Sequence, residues 1–280
     1  MTKKEIIKLI EDSYRGKYGA FNLPQILFEH TSKRLIEAVK KGWGGDISAV
    51  HSPDYDLYKK FEKNVFFFAA NKTAQQLNDY NNLMIGPDGK RRNKAEFAKA
   101  ALKIDRKYNT NWLDTEYNTT LRIARAGREF KEFHETKDLY PYLEFEAVGD
   151  ENTRKAHDKL NGIIRKVTDP FWNKYTPPLE WNCRCRLKRR KSGRATNLKG
   201  RKLPEVHPLF EENAYNSKRI WNLKNHPYSK ILPGQRREVN ELVEKKIKPK
   251  FPELMPDAIK DFPVKLDYRI FKLLKEKTKF

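Results

Sequence analysis

His157, Cys183 and Cys185 are the residues of this chain whose types and spacing invite chemistry. An imidazole and two thiols are ligands for zinc. If the Cys-x-Cys pair lies on a strand, residues i and i+2 share a face, so both sulfurs reach one ion. Arg184 and Arg186 then point to the other face, where they meet a phosphate. His157 is expected on a short helix, with Asp150 two turns earlier near the same side. Asp150, His134 and His207 are the candidates for a fourth ligand, and spacing selects none of them. A second reading competes: thiols packed beside Trp181, with His157 hydrogen-bonded to backbone. It is the stronger one from sequence alone, because Cys-x-Cys is less typical of zinc than Cys-x-x-Cys and closed zinc sites take four ligands.

The other chemistry is electrostatic. Formal net charge is +22, from 59 Lys and Arg against 37 Asp and Glu. A field of that size attracts polyanions. Between Trp181 and Pro204 there is no acidic residue but ten basic ones: Arg184, Arg186, Lys188, Arg189, Arg190, Lys191, Arg194, Lys199, Arg201 and Lys202. A solvated linker usually mixes signs. An unmixed run is better explained by phosphate contacts, which need charge and reach but not fixed geometry. The expected ligand is double-stranded DNA, bound without regard to sequence. Asp150 and Arg154, one helical turn apart, read as a cap plus a surface ion pair of under about 1 kcal/mol. Phe171, Trp172 and Tyr175 read as the cover of a small core.

Enzyme signatures are missing. A zinc deaminase requires His-x-Glu and Pro-Cys-x-x-Cys, whereas Asp158 and Lys159 follow His157 and the cysteines are too close. There is no Walker loop and no Gly-x-Ser-x-Gly. The chain is expected not to be an enzyme.

These groups need a scaffold. Hydrophobic residues make up 38% of the 280 and charged ones 34%, which favours thin layers and amphipathic helices over a deep core. Sixteen Phe, thirteen Tyr and five Trp argue that much of the chain folds. No apolar run is long enough to cross a bilayer. The opening Met1-Thr2-Lys3-Lys4 lacks the apolar stretch of a signal peptide, so synthesis in a reducing cytoplasm is expected, with no membrane partner.

Five helices are expected in the first half. Ile6, Ile7, Ile10 and Tyr14 stripe the first, closed by Gly16 and Gly19. Pro24 opens the second, striped by Phe28, Leu35, Ile36 and Val39 and ended by Gly42, Gly44 and Gly45. Ser52-Pro53 signals the start of the third, whose buried side carries Leu57, Phe61, Val65, Phe68 and Leu77. Gly86-Pro87-Asp88-Gly89 is a turn. Phe97, Ala101, Ile104 and Tyr108 mark the fourth helix, and Trp112, Leu113, Tyr117, Leu121 and Ala124 the fifth.

After His134 the period changes. Leu143, Phe145 and Ala147 alternate as on a half-buried strand. Asp150 caps a short helix ended by Gly162, and Ile163, Ile164 and Val167 form a second strand. Cys183 to Leu187 form a third. Lys188 to Arg194 read as a mobile basic linker. Beyond it Phe210, Trp221, Val239, Leu242, Val243 and Ile247 are thinly spaced apolar positions, broken by Pro249, Pro252 and Pro256, and Val264, Leu266, Tyr268 and Ile270 alternate near the end. The fold class is therefore α+β. A mainly helical N-terminal region covers 1–134, a small mixed module 135–190, and an extended basic C-terminal arm without its own core 191–280.

The central run resembles the signature of the phage Mu F-like head morphogenesis family. The matching residues are Asp150, Arg154 and His157, then Leu160-Asn161-Gly162, Pro177-Pro178 and Cys183-Arg184-Cys185. Asn161 stands where the family commonly has Asp, a conservative change in a turn. A looser similarity runs back through Leu113-Asp114-Thr115-Glu116-Tyr117. The resemblance implies a minor head protein, active in head assembly and in DNA packaging or ejection. It would associate with the portal protein inside the procapsid and virion, with scaffold or major capsid protein as further partners. Some relatives carry an appended nuclease or toxin, which remains an alternative, as does a host nucleic-acid-binding protein.

Overall fold

In a computed structural model, residues 1–45 and 54–250 are described. Ser52-Pro53, Pro252, Pro256 and the alternation from Val264 to Ile270 lie outside them. The helical layer comprises α1 (Lys3–Tyr14), α2 (Gln25–Trp43), α3 (Tyr55–Asn82), α4 (Lys94–Arg106) and α5 (Leu113–Glu135). Thr2 and Asn93 each close a capping box, with Glu5 and Glu96, at the starts of α1 and α4. The turn at Gly86–Gly89 forms as expected, with Gly89 N–H donating to the Gly86 carbonyl. A π-helical turn, Lys107–Trp112, joins α4 to α5 and makes them one continuous stack.

The stripes predicted for α2 and α3 are buried. Two details differ from expectation. Gly42 does not end α2; a Cβ there would sit 2.3 Å from the Leu121 carbonyl oxygen, so glycine is what lets α2 and α5 touch. Gly44, with φ of 96°, is the residue that stops the helix. Helix α3 is also not simply amphipathic. It is covered on nearly every side, so Lys59, Glu62, Lys63, Asn71 and Lys72 are buried along with its apolar residues.

The module after α5 holds β1 (Tyr142–Glu146), α6 (Lys155–Asp158), β2 (Ile164–Lys166), α7 (Phe171–Tyr175) and β3 (Arg186–Arg190). The strands form an antiparallel sheet in the order β2-β1-β3. Leu143 and Phe145 face the core, with Leu160, Ile163 and Val167 buried beside them. Trp172 is fully buried and donates its indole N–H to the Lys166 carbonyl, which confirms the aromatic group as a core cover.

Among the described residues beyond the sheet, the chain read as an extended arm packs onto the helical layer as far as Ile247. Helix α8 (Ala214–Ser217) packs on α5, and α9 (Pro233–Ile247) packs on α3. Trp221 is fully buried and stacks on Phe68. Asn64 of α3 accepts from the backbone N–H groups of Ile220 and Trp221 and donates to the Trp221 carbonyl. Asn78 and Gln235 exchange two hydrogen bonds. One apolar core thus runs from α2 and α3 through the sheet to α9. Lys188 to Arg190, read as the start of a mobile linker, lie instead in β3, and Thr196 just beyond that stretch pairs with Ile164 at the free edge of β2.

Candidate metal centre and basic groove

The structure brings His157, Cys183 and Cys185 together. His157 Nδ1 lies 3.6 Å from the Cys183 sulfur and 3.7 Å from that of Cys185. The three ligating atoms all fall within 4.8 Å of one another. His157 and Cys183 are buried and Cys185 is half-buried. The packed reading gave His157 a backbone partner, but its Nδ1 faces both sulfurs instead. The thiol of Cys185, hydrogen-bonded to Cys183, holds Cys183 far below the usual thiol range, at about 4, against the opposing effect of burial. That same contact pushes Cys185 upward.

The cysteines reach this position by a route that was not expected. Strand β3 starts at Arg186, so neither Cys183 nor Cys185 is on it. A turn delivers them instead: Asn182 has φ of 58°, and Cys183 N–H donates to the Glu180 carbonyl. Arginines fix the turn from several sides. Arg122 of α5 donates to the Cys183 carbonyl at 2.8 Å. Arg154 donates to the Trp181 carbonyl and pairs with Glu180. Asp150 pairs with Arg184 at 2.6 Å, not with Arg154, and it closes its own turn by accepting from Asn152 N–H and Thr153 Oγ1. It is not the cap of α6, whose N-cap position is Arg154. Asn161 accepts from the Ala147 N–H, a role that Asp would fill equally.

None of the three proposed fourth ligands joins the cluster. Asp150 is engaged with Arg184, His134 lies against Phe130 and Tyr215, and His207 Nδ1 accepts from the Leu209 N–H. Among the described residues, no fourth His, Cys, Asp or Glu completes the set.

The ten basic residues divide into two groups. Arg184 is tied to Asp150, Arg186 to Glu146 and Arg190 to Glu144 at 2.7 Å. The register explains it: Glu144 and Glu146 of β1 stand opposite Lys188 and Arg186 of β3 on the outward face. Arg186 and Arg190 are therefore neutralised across the sheet. Arg189 covers the rings of Phe133 and Tyr140. Lys188, Lys191, Arg194, Lys199, Arg201 and Lys202 are exposed.

A groove of roughly 590 Å³ lies between α5 and the cysteine turn. Arg122, Arg125, Arg128, Glu129 and Glu132 of α5 line one side and Arg184, Arg186 and Arg189 the other. Burial raises the Glu129 carboxyl above its usual range, opposed by Arg128 and Arg125. Sequence reasoning missed the three α5 arginines. Their spacing at i, i+3 and i+6 puts them on one face of a helix, and that was the available signal.

Fold and site define an α+β protein in which a three-stranded module, carrying a His-Cys-Cys cluster, is held on a helical layer. Residues 81–188, from the end of α3 through the cluster into β3, match the family model for Phage Mu protein F like protein. The chain is 37% identical over 86 residues, 31% of its length, to "Putative capsid assembly protein F" of Escherichia phage Mu. It is 43% identical over 75 residues, 27% of its length, to the Mu-like prophage FluMu F protein of Haemophilus influenzae. These matches span 20% and 17% of the two relatives. No solved structure matches the chain. Among the described residues, no helix is long and apolar enough to cross a membrane.

Proposed function

We propose that this chain is a non-enzymatic minor head protein of a tailed phage or prophage. In this reading it joins the head during assembly, associates with the portal protein, and lies inside the capsid with its basic face toward DNA. The observations that carry the reading are the match of residues 81–188 to the Mu F family model and the similarity to the capsid assembly protein F of phage Mu. Charge supports the DNA contact: the chain is +22, and the cluster turn, β3 and α5 present arginines into one groove. Six further basic residues, Lys188, Lys191, Arg194, Lys199, Arg201 and Lys202, are exposed near it in sequence. Such contacts read phosphate and not base edges.

Co-expression with the portal protein of the same phage or prophage, followed by co-purification and imaging of assembled particles, tests this. Recovery of a stable portal complex and density for the protein inside the head support it. Normal particles that lack the protein, and no complex with portal, scaffold or major capsid protein, overturn it.

A further inference from the structure

We propose that His157 Nδ1, Cys183 Sγ and Cys185 Sγ hold one zinc ion as a three-ligand site whose fourth position is taken by water. This goes beyond the head-assembly reading and does not depend on it. A tetrahedral zinc ion, with bonds of about 2.3 Å to sulfur and about 2.0–2.1 Å to nitrogen, places the nitrogen about 3.6 Å from each sulfur. The two nitrogen–sulfur distances here are 3.6 and 3.7 Å. A single ring nitrogen thus stands at bonding-edge distance from both sulfurs at once.

The surroundings fit an ion site. The ligands come from separate elements, helix α6 and the turn before β3, so an ion would clip the two together. Arg122 and Arg154 hold carbonyls of the turn, which orients the sulfurs before any ion arrives. Thiolate ligands favour zinc over magnesium or calcium, which take oxygen. Cys183 and Cys185 also border the arginine-lined groove, so an exchangeable fourth ligand has a route to the ion.

The test uses the full 280-residue chain, purified reduced, incubated with zinc sulfate and desalted. About one equivalent of zinc is expected to remain. Cobalt(II) in place of zinc is expected to give thiolate-to-cobalt charge transfer and the intense visible bands of a tetrahedral site, which identify the ligands without any mutation. Cys185→Ser and His157→Gln are each expected to weaken zinc by more than about 100-fold, since loss of an outer partner alone costs 10–100-fold. Circular dichroism reports whether each variant is folded. Wild-type protein that is folded, reduced and free of zinc after loading overturns the proposal. So does a cobalt spectrum without thiolate charge transfer, or unchanged stoichiometry in Cys183→Ser/Cys185→Ser. Portal binding plays no part in these readouts, so failure here is distinguishable from failure of the head-assembly reading.

Discussion

Two buried polar clusters in this molecule differ in composition and in closure. In the helical layer Lys72 and Glu116 form a fully buried ion pair. Lys72 also donates to the Tyr108 carbonyl at 2.8 Å, offered by the π-turn, and Glu116 accepts from the Tyr228 hydroxyl at 2.8 Å. The rings of Tyr108 and Tyr228 flank the ammonium. Charges and donors here are matched within the chain. The His157–Cys183–Cys185 cluster has three donors converging on one point and no fourth partner among the described residues. A buried polar group that is satisfied internally holds a fold together. The cysteine cluster instead makes only sulfur–nitrogen and sulfur–sulfur contacts within the trio.

The sharpest way to break the comparison is to open the closed cluster. Lys72→Met leaves the Glu116 carboxylate buried without its cation, and an expected loss of about 3–5 kcal/mol follows. Lys72→Met/Glu116→Leu should recover much of that, because two apolar groups replace the pair. Urea unfolding of the three proteins measures it. A Lys72→Met cost under about 1 kcal/mol would show that the pair is not closed as described.

Acid probes the same region. Burial holds His226 down at about 3, with Lys72 and His207 adding to the effect, and its Nδ1 accepts the Tyr228 N–H. Unfolded, the imidazole has its ordinary value near 6.5. The unfolded state therefore binds the proton more readily, so the neutral ring contributes stability fully present above about pH 6.5. That contribution falls as pH drops toward 3, by up to about 1.4 kcal/mol per pH unit. Melting curves from pH 7 to pH 4 should show this slope, and His226→Gln should flatten it. Equal slopes in both proteins would assign the acid sensitivity elsewhere.

What could be read before the structure follows from range. Helix faces, the Gly86–Gly89 turn and β1 were legible, because period and turn chemistry are local, whereas the convergence of His157 with the cysteines was the weaker of two readings. Partners across the sheet were not. Arg186 and Arg190 are paired by Glu146 and Glu144, forty and forty-six residues away, and only the β1–β3 register shows it. The packing of Trp221 on Phe68 and the all-round burial of α3 are long-range in the same way. The cysteines were placed on a strand because Cys-x-Cys alternation suits one, whereas a left-handed Asn182 turn achieves the same convergence.

The surface of the module supplies smaller effects. Each DNA phosphate neutralised lowers log affinity by about 0.9 per unit of log salt on duplex DNA. Replacing Lys188, Lys191, Arg194 and Lys199 with Ser should flatten that slope by about three to four units if all four contact phosphate. Arg186→Ser and Arg190→Ser should change it less, since those arginines already face carboxylates. Filter binding at several salt concentrations decides, and the reverse ranking would move the interface onto the sheet face. Arg186→Ser should itself leave stability nearly unchanged in the same urea assay, as loss of an exposed pair does.

The contrast between closed and open clusters is tested most directly by melting the full chain with and without zinc. At free zinc near 100 times the dissociation constant, a site present only in the folded state adds about 2.7 kcal/mol. For a protein of this size that raises Tm by about 5–10 °C. The account predicts this rise in the wild type and in a Glu116→Gln variant, and none in Cys183→Ser/Cys185→Ser. A wild type whose melting is indifferent to zinc, or a cysteine variant that gains as much, would contradict it.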